Sequence, residues 1–264
     1  MILVTGSTGF VGQKLMRFLK DAIPCPSLRN MTEHDVYRVV DESGADTIIH
    51  TAAISDIGVC EKDPDASYIA NVAIPVFLAK AAKNKKLILF SSDQVYSAAE
   101  SDGPYTEDMT APGNTYAKHK LEMENRVLDI ASDAVMLRAE WMYDYYLKKP
   151  NYFMNIINAK DPISFSSNQY RGLTYVKEVA QNMEKVIKLP GGSYNFGSET
   201  AKSMYEITQE FLTFLKKDIP LRDVLPRHNL WMNTEKAKSF GITFSSAEDG
   251  LIKCAEDYDL LPSI

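Results

Sequence analysis

The chain is predicted to fold as an α/β protein, a doubly wound parallel sheet with a smaller C-terminal α/β lobe. Three observations predict it. Strand-like and helix-like segments alternate through the first 140 residues. The strand segments are continuous apolar runs, as in a sheet covered on both faces. The first of them runs straight into a glycine-rich turn that opens a helix. At 264 residues the chain is long enough for one large domain or a domain with a smaller lobe.

The elements follow in order. ILVT (2–5) is a short β-branched strand, and VGQKLMRFLKD carries Val11, Leu15, Phe18 and Leu19 at helical spacing. AIPCP (22–26) reads as a short second strand. HDVYRVVDESG (34–44) reads as a helix ending at Gly44, a C-cap glycine. DTIIHTAA (46–53) is a buried strand, and residues 64–86 form a long Ala-rich helix that Pro75 should kink. KLILFSS (86–92) is the next strand, 114–130 a helix, and DAVMLRAE (133–140) a strand. After residue 140 aromatic residues cluster in WMYDYYLKKPNYF. Residues 172–188 read as one helix, SYNFG as a strand, and MYEITQEFLTFLKK and 246–258 as helices. No repeat or low-complexity segment interrupts this order.

Composition excludes several function classes. A net charge of −6 and a pI near 5.3 leave no basic stripe for nucleic acid. No apolar run reaches bilayer length, and MILVTG has no basic leader, so a cytoplasmic location is expected. Cys25, Cys60 and Cys254 are odd in number and far apart, which suits reduced structural thiols. The four histidines lack ligand spacing, so no metal is expected.

The turn TGSTGFVG places Gly6, Gly9 and Gly12 between strand and helix. The first glycine permits the tight turn, the second a close approach to pyrophosphate, and the third close helix packing; the helix N-terminus then faces the phosphates. This is the context of a Rossmann dinucleotide site. Thr8, Phe10 and Val11 lie in the same turn, and Ala52 and Ala53 end the strand at 46–53. The acidic residue expected at the end of strand two is missing, and the stretch reads CPSLRN. Ser27 and Arg29 are therefore candidates for a 2′-phosphate, a lean toward NADP(H) over NAD(H). The expected division is 1–145 plus about 172–188 for the dinucleotide-binding part, with about 146–171 and 189–264 for the substrate lobe.

Ser91, Ser92 and Asp93 close a buried strand at the end that faces the ligand crevice. Tyr116 follows at the start of a helix, with Lys120 one turn on. Among 14 tyrosines about one Tyr-x-x-x-Lys pair arises by chance. A second does exist, Tyr145 with Lys149, but no strand-end serine precedes it, so it reads as packing or lobe surface. Ketone reduction needs hydride at carbon and a proton at oxygen. A phenol near pKa 10 is too weak an acid–base group at neutral pH. A neighbouring ammonium should lower it, and a serine hydroxyl can hold the carbonyl oxygen. Asp93 is positioned to orient substrate or assist proton transfer.

With TGSTGFVG, HTAA (50–53), Asn71 in ANV, SSDQVY, YAKHK and YRGLTYVKEVA in place, the chain resembles the extended short-chain dehydrogenase/reductase family. The resemblance spans roughly the first 180 residues. It implies Ser92, Tyr116 and Lys120 as catalytic residues, Lys120 touching the nicotinamide ribose, and Asn71 supporting that lysine. Within the family the likeness runs to dTDP-4-dehydrorhamnose reductases. It is carried by MLRAEWMYD, SSNQYRGLTYV and LPRHNLWMNTEKAKSFGI, with departures at Asn168, Leu173 and Met232–Asn233. SSDQVY also resembles the motif of nucleotide-sugar 4,6-dehydratases, but Gln94 replaces the second carboxylate, and an amide takes no proton at neutral pH.

The resemblance implies reduction of a keto group on a nucleotide-linked sugar. Alternatives within the family are an NAD-dependent nucleotide-sugar epimerase and a non-catalytic dinucleotide-binding subunit, such as the regulatory subunit of methionine adenosyltransferase. Arg171 stands where many members hold the substrate's diphosphate, with Arg138 and Arg227 as weaker candidates for the same task. Trp141 is a candidate for the sugar pocket. A homodimer through the helices carrying Asn71 and Tyr116 is implied as well.

Overall fold

The computed structural model describes residues 1–146, 150–225 and 229–260. The candidate Arg227 and the lysine of the second pair, Lys149, lie outside the described residues. Two compact units emerge. The first comprises Met1–Ala99, Met109–Arg138 and Ala180–Tyr194, and the second Glu100–Asp108, Ala139–Val179 and Asn195–Ile264.

In the first unit, strand β1 (Ile2–Thr5) buries Leu3 and Val4 and is followed by helix α1 (Phe10–Phe18). Val11 and Leu15 of α1 face inward, but Phe18, expected on that face, is 41% exposed. Strand β2 (Ala22–Pro24) pairs in parallel with β1. Helix α2 (Glu33–Glu42) starts at a reciprocal capping box between Thr32 and Asp35, and Gly44 follows it with φ +60°. Strand β3 (Thr47–His50) is buried throughout and pairs with the other side of β1.

Helix α3 (Ile57–Lys62), capped by Asp56, precedes the segment read as one long helix, and that segment divides: α4 (Pro64–Tyr68), capped by Asp63, passes through a five-residue π-turn, Ile69–Ala73, into α5 (Ile74–Ala81). The π-turn accounts for Pro75. Its ring would press on the carbonyl four residues back, that of Asn71, and widening the turn so that Ile74 N–H reaches Ile69 O moves that carbonyl aside. The helix therefore passes through the proline without breaking. Strand β4 (Lys86–Ser92) ends in a short 3-10 turn, Asp93–Tyr96. Helix α6 (Thr115–Ile130) is N-capped by Asn114, and strand β5 (Val135–Ala139) is wholly buried.

The second unit opens with strand β6 (Trp141–Tyr143), helix α7 (Tyr152–Asn158), and strands β7 (Ile163–Phe165) and β8 (Leu173–Tyr175). Strand β8 lies inside the stretch read as helix; only its continuation, α8 (Val176–Val186), is helical. Strand β9 (Gly192–Phe196) completes a six-stranded sheet of order β2-β1-β3-β4-β5-β9. The remaining elements are helix α9 (Met204–Phe214), strand β10 (Leu221–Asp223), helix α10 (Glu235–Lys238) and helix α11 (Ala247–Asp257). Parallel pairs β6–β8 and β7–β10 form two small sheets.

These pairings draw the unit boundaries differently from the expected ones. Residues 100–108, 139–145 and 172–179 fall in the second unit, the last two because β6 pairs with β8, and residues 189–194 fall in the first because β9 edges the large sheet. The first core is aliphatic, built from residues such as Leu3, Ile48, Leu78, Leu89 and Met136. The second is aromatic: Tyr143 stacks on Phe153 and Tyr175 at 5.7 and 5.8 Å. Tyr145 packs edge-on against Phe153 and beside Tyr258, a packing role. Cys25, Cys60 and Cys254 are buried free thiols. Among the described residues no helix is long and apolar enough to cross a membrane.

Candidate active site

The sheet order reverses direction between β1 and β3, the place where doubly wound folds bind ligands. Here the glycine turn is tightly constrained. Gly6 has φ +65°, and a side chain on Gly12 would bring its Cβ within 2.1 Å of the Gly6 carbonyl oxygen. A cleft of about 820 Å³ opens beside it, lined by Gly6, Thr8, Ser27, Arg29, Ala52 and Ala53, with His50 in its wall. Gly9 is the N-cap of α1, and no side chain caps it, so helix N–H groups are left for a ligand. Phe10 is half-buried and Val11 buried, on the first turn of that helix. A cradle closed to any Cβ at Gly12, a helix N-terminus and a cleft of this size fit a dinucleotide.

Asn71, expected to support Lys120, makes different contacts. From the π-turn its Oδ1 accepts from Ile54 N–H at 3.1 Å, and its Nδ2 donates to Ile54 O at 2.9 Å and Ser67 Oγ at 3.1 Å. It fixes the loop after β3, just past Ala52 and Ala53, rather than the lysine.

The serine, tyrosine and lysine come together in the first unit. Tyr116 and Lys120 are buried, at 6% and 1% exposure, which excludes a solvated helix-surface pair. The Ser92 hydroxyl donates to Asp93 Oδ1 at 3.1 Å and accepts from Gln94 N–H at 3.2 Å. Lys120 Nζ donates to Phe90 O at 2.7 Å and lies 5.9 Å from the Tyr116 ring centroid. Burial pushes the phenol well above its ordinary value, against a smaller downward pull from Ser92. The expected lowering by Lys120 is therefore not what governs Tyr116. Burial does, and Lys120 is itself lowered by burial to about 8.

Helical spacing continues to a residue the sequence reading missed. Glu124, one turn beyond Lys120, is buried; it accepts a bidentate pair from Arg138 Nε and Nη2 and bonds from Ser91 and Ser193. Arg138 also donates to Tyr96 Oη at 2.8 Å. Arg138, a candidate for substrate phosphate, thus sits at 4% exposure within an interior network. The signal was present: a carboxylate and a guanidinium both occupy positions where apolar residues surround them.

In the second unit Trp141 and Arg171 meet. The guanidinium carbon lies 4.6 Å from the indole centroid, with Trp141 41% exposed. Asn168, Gln169 and Tyr170 lead into Arg171, and Tyr170 stacks on Trp231 at 5.4 Å. Glu140, immediately before Trp141, is a buried carboxylate that the sequence reading also passed over. Among the described residues no group of three His, Cys, Asp or Glu gathers to hold a metal.

Fold, glycine cradle and the Ser92–Tyr116–Lys120 set define an extended short-chain dehydrogenase/reductase, a class of NAD(P)-dependent oxidoreductases. Within that class the sequence profile described as RmlD substrate binding domain matches residues 1–236, and the chain belongs to this family. It is 27% identical over 223 residues to dTDP-4-dehydrorhamnose reductase of Aggregatibacter actinomycetemcomitans, covering 78% of this chain and 76% of that one. It is 30% identical over 234 residues to methionine adenosyltransferase 2 subunit beta of Xenopus laevis, covering 78% and 69%. The crystal structure of dTDP-4-dehydrorhamnose reductase from Bacillus anthracis in complex with NADP superposes with a TM-score of 0.86 at 22% identity, over 97% and 98% of the two chains.

Proposed function

We propose that the protein reduces a keto group on a nucleotide-linked sugar with NAD(P)H, as its dTDP-4-dehydrorhamnose reductase relatives are named to do. The observation that carries this reading is the buried Ser92–Tyr116–Lys120 set on the same carboxyl-terminal strand edge as the glycine cradle. Gly6, Thr8, Gly9 and Gly12 would hold the nicotinamide cofactor, which would supply the hydride. Ser92 holds the substrate carbonyl oxygen by its hydroxyl, and Tyr116 delivers the proton to that oxygen. Lys120, with a pKa of about 8, carries its charge at neutral pH and steadies the phenolate that remains. Without substrate the Ser92 hydroxyl donates to Asp93, and it turns to the carbonyl oxygen when substrate binds. Gln94 stands where an elimination would need an acid, which favours reduction over dehydration.

Trp141 and Arg171 are assigned to substrate recognition, and Arg138 to holding Glu124. Ser27 and Arg29 are exposed at the cleft and suit a 2′-phosphate, which supports NADP(H). A homodimer and a cytoplasmic location complete the proposal; gel filtration and cell fractionation test them, a monomer or a membrane-bound pool counting against each.

The decisive experiment follows reduced-nicotinamide absorbance with dTDP-, UDP- and GDP-linked 4-keto sugars. Turnover that falls about 10²-fold or more in Tyr116→Phe supports the reading. A second reading, a dinucleotide-binding subunit of another enzyme, draws on the likeness to methionine adenosyltransferase 2 subunit beta. Tight cofactor binding with no turnover on any sugar would favour it.

A further inference from the structure

We propose that Glu140 is a positioning residue of the substrate surface, clamping the backbone that carries Trp141 and Arg171. The inference rests on the assignment of those two residues to substrate recognition.

Glu140 is 4% exposed and connects β5 to β6. Its Oε1 accepts from Thr174 Oγ1 at 2.5 Å, Ser198 N–H at 2.7 Å and Ser198 Oγ at 2.9 Å. Ser198 Oγ also lies 2.6 Å from Leu173 O, so its one proton is shared between that carbonyl and Glu140, and its N–H also reaches Thr174 Oγ1 at 2.9 Å. The carboxylate lies directly against two glycines. A Cβ on Gly172 would come within 1.9 Å of it, and one on Gly197 within 2.4 Å. Two segments distant in sequence, 172–174 and 197–198, therefore close around one carboxyl group.

The chain neighbours of this clamp are the two recognition residues. Glu140 precedes Trp141, and Gly172 follows Arg171. Strands β6 and β8 pair Trp141 with Leu173, so the clamp sits at the start of that register. The Arg171 guanidinium stacks on the Trp141 indole across the same point. An apolar side chain would suit burial here at lower desolvation cost. A carboxylate instead gives directional bonds to two strand ends, and so fixes the angle at which cation and ring present themselves.

The test uses full-length protein carrying Trp231→Phe, in which Trp141 is the single indole. Indole emission reports the Arg171–Trp141 stack, and titration with dTDP and with UDP reports the surface. Glu140→Gln is expected to shift the emission and raise the Kd for the preferred nucleotide about tenfold, the equivalent of one charge-assisted hydrogen bond. NADPH affinity stays at the parent value. Thr174→Ser, which keeps the hydroxyl, behaves as the parent, whereas the isosteric Thr174→Val reproduces part of the Glu140→Gln effect. If Glu140→Gln does not fold, the Thr174 pair decides alone. Unchanged emission and nucleotide affinity in Glu140→Gln, or in Thr174→Val where that pair decides, overturn the clamp. Arg171→Ala with unchanged nucleotide affinity overturns the recognition assignment instead, and emission still judges the clamp.

Discussion

Acid should destabilise this protein through His50, well before its carboxylates titrate. The imidazole is fully buried at the end of β3. Its Nδ1 pairs with Thr5 Oγ1 at 2.7 Å, and its Nε2 has no hydrogen-bond partner among the described residues. Burial, with the Lys120 charge adding to it, lowers its pKa from 6.5 to about 3. Below pH 6.5 the unfolded chain takes up a proton there that the folded chain refuses. The stability is thus complete above 6.5 and is lost progressively as pH falls toward 3. At about 1.4 kcal/mol per pH unit, moving from pH 7 to pH 5 costs about 2 kcal/mol. That is a large share of a typical stability of roughly 5–15 kcal/mol. Lys120, at about 8, stays charged throughout this window and contributes no slope of its own. Urea unfolding at the two pH values measures the loss. His50→Gln is less stable overall but should lose about 2 kcal/mol less than the parent between pH 7 and 5. Equal losses in the two proteins would refute the reasoning.

Three further outcomes are expected. Gly12→Ala drives a methyl into the Gly6 carbonyl and should weaken nicotinamide-cofactor binding roughly tenfold or more by fluorescence titration; parent-like affinity would count against the cradle. Glu124→Gln strands the Arg138 charge and should cost about 3–5 kcal/mol in denaturant unfolding. It should also move the alkaline limb of the rate profile below 8, since Glu124 holds Lys120 up; an unmoved limb would sever that link. Arg29→Ala should raise the Kd for NADPH about tenfold and leave that for NADH unchanged, whereas equal losses would remove Arg29 from 2′-phosphate recognition.

The parts of the fold legible in the sequence are those whose signal is local. ILVT and KLILFSS carry continuous apolar runs, the 114–130 helix carries its own periodicity, and the glycine turn carries its own conformational demand. Leu173–Tyr175 was unreadable for the opposite reason. A three-residue strand has no period, and it exists because Trp141–Tyr143 lies alongside, some thirty residues away. The site divides in the same way. Tyr116 and Lys120 are one helical turn apart, so their shared face was visible. Arg138 read as a ligand-seeking charge because its partner, Glu124, lies on a different element. Asn71 reads as the support of Lys120, but its bonds to Ile54 follow from a π-turn that residue spacing alone does not announce.

The chain passes between its two units at five places, after residues 99, 108, 138, 179 and 194. Neither unit is a continuous stretch of sequence, so no single cut yields either one intact. A lobe with a new preference could not be imported as a block, as a continuous module could. Change in what the protein acts on must instead arrive by replacement within short returning segments such as 100–108 and 139–179, each bounded by strands or helices that the dinucleotide-binding sheet needs for its own stability. Chimeras between relatives are therefore expected to fold only when their junctions fall in matched pairs at these crossings.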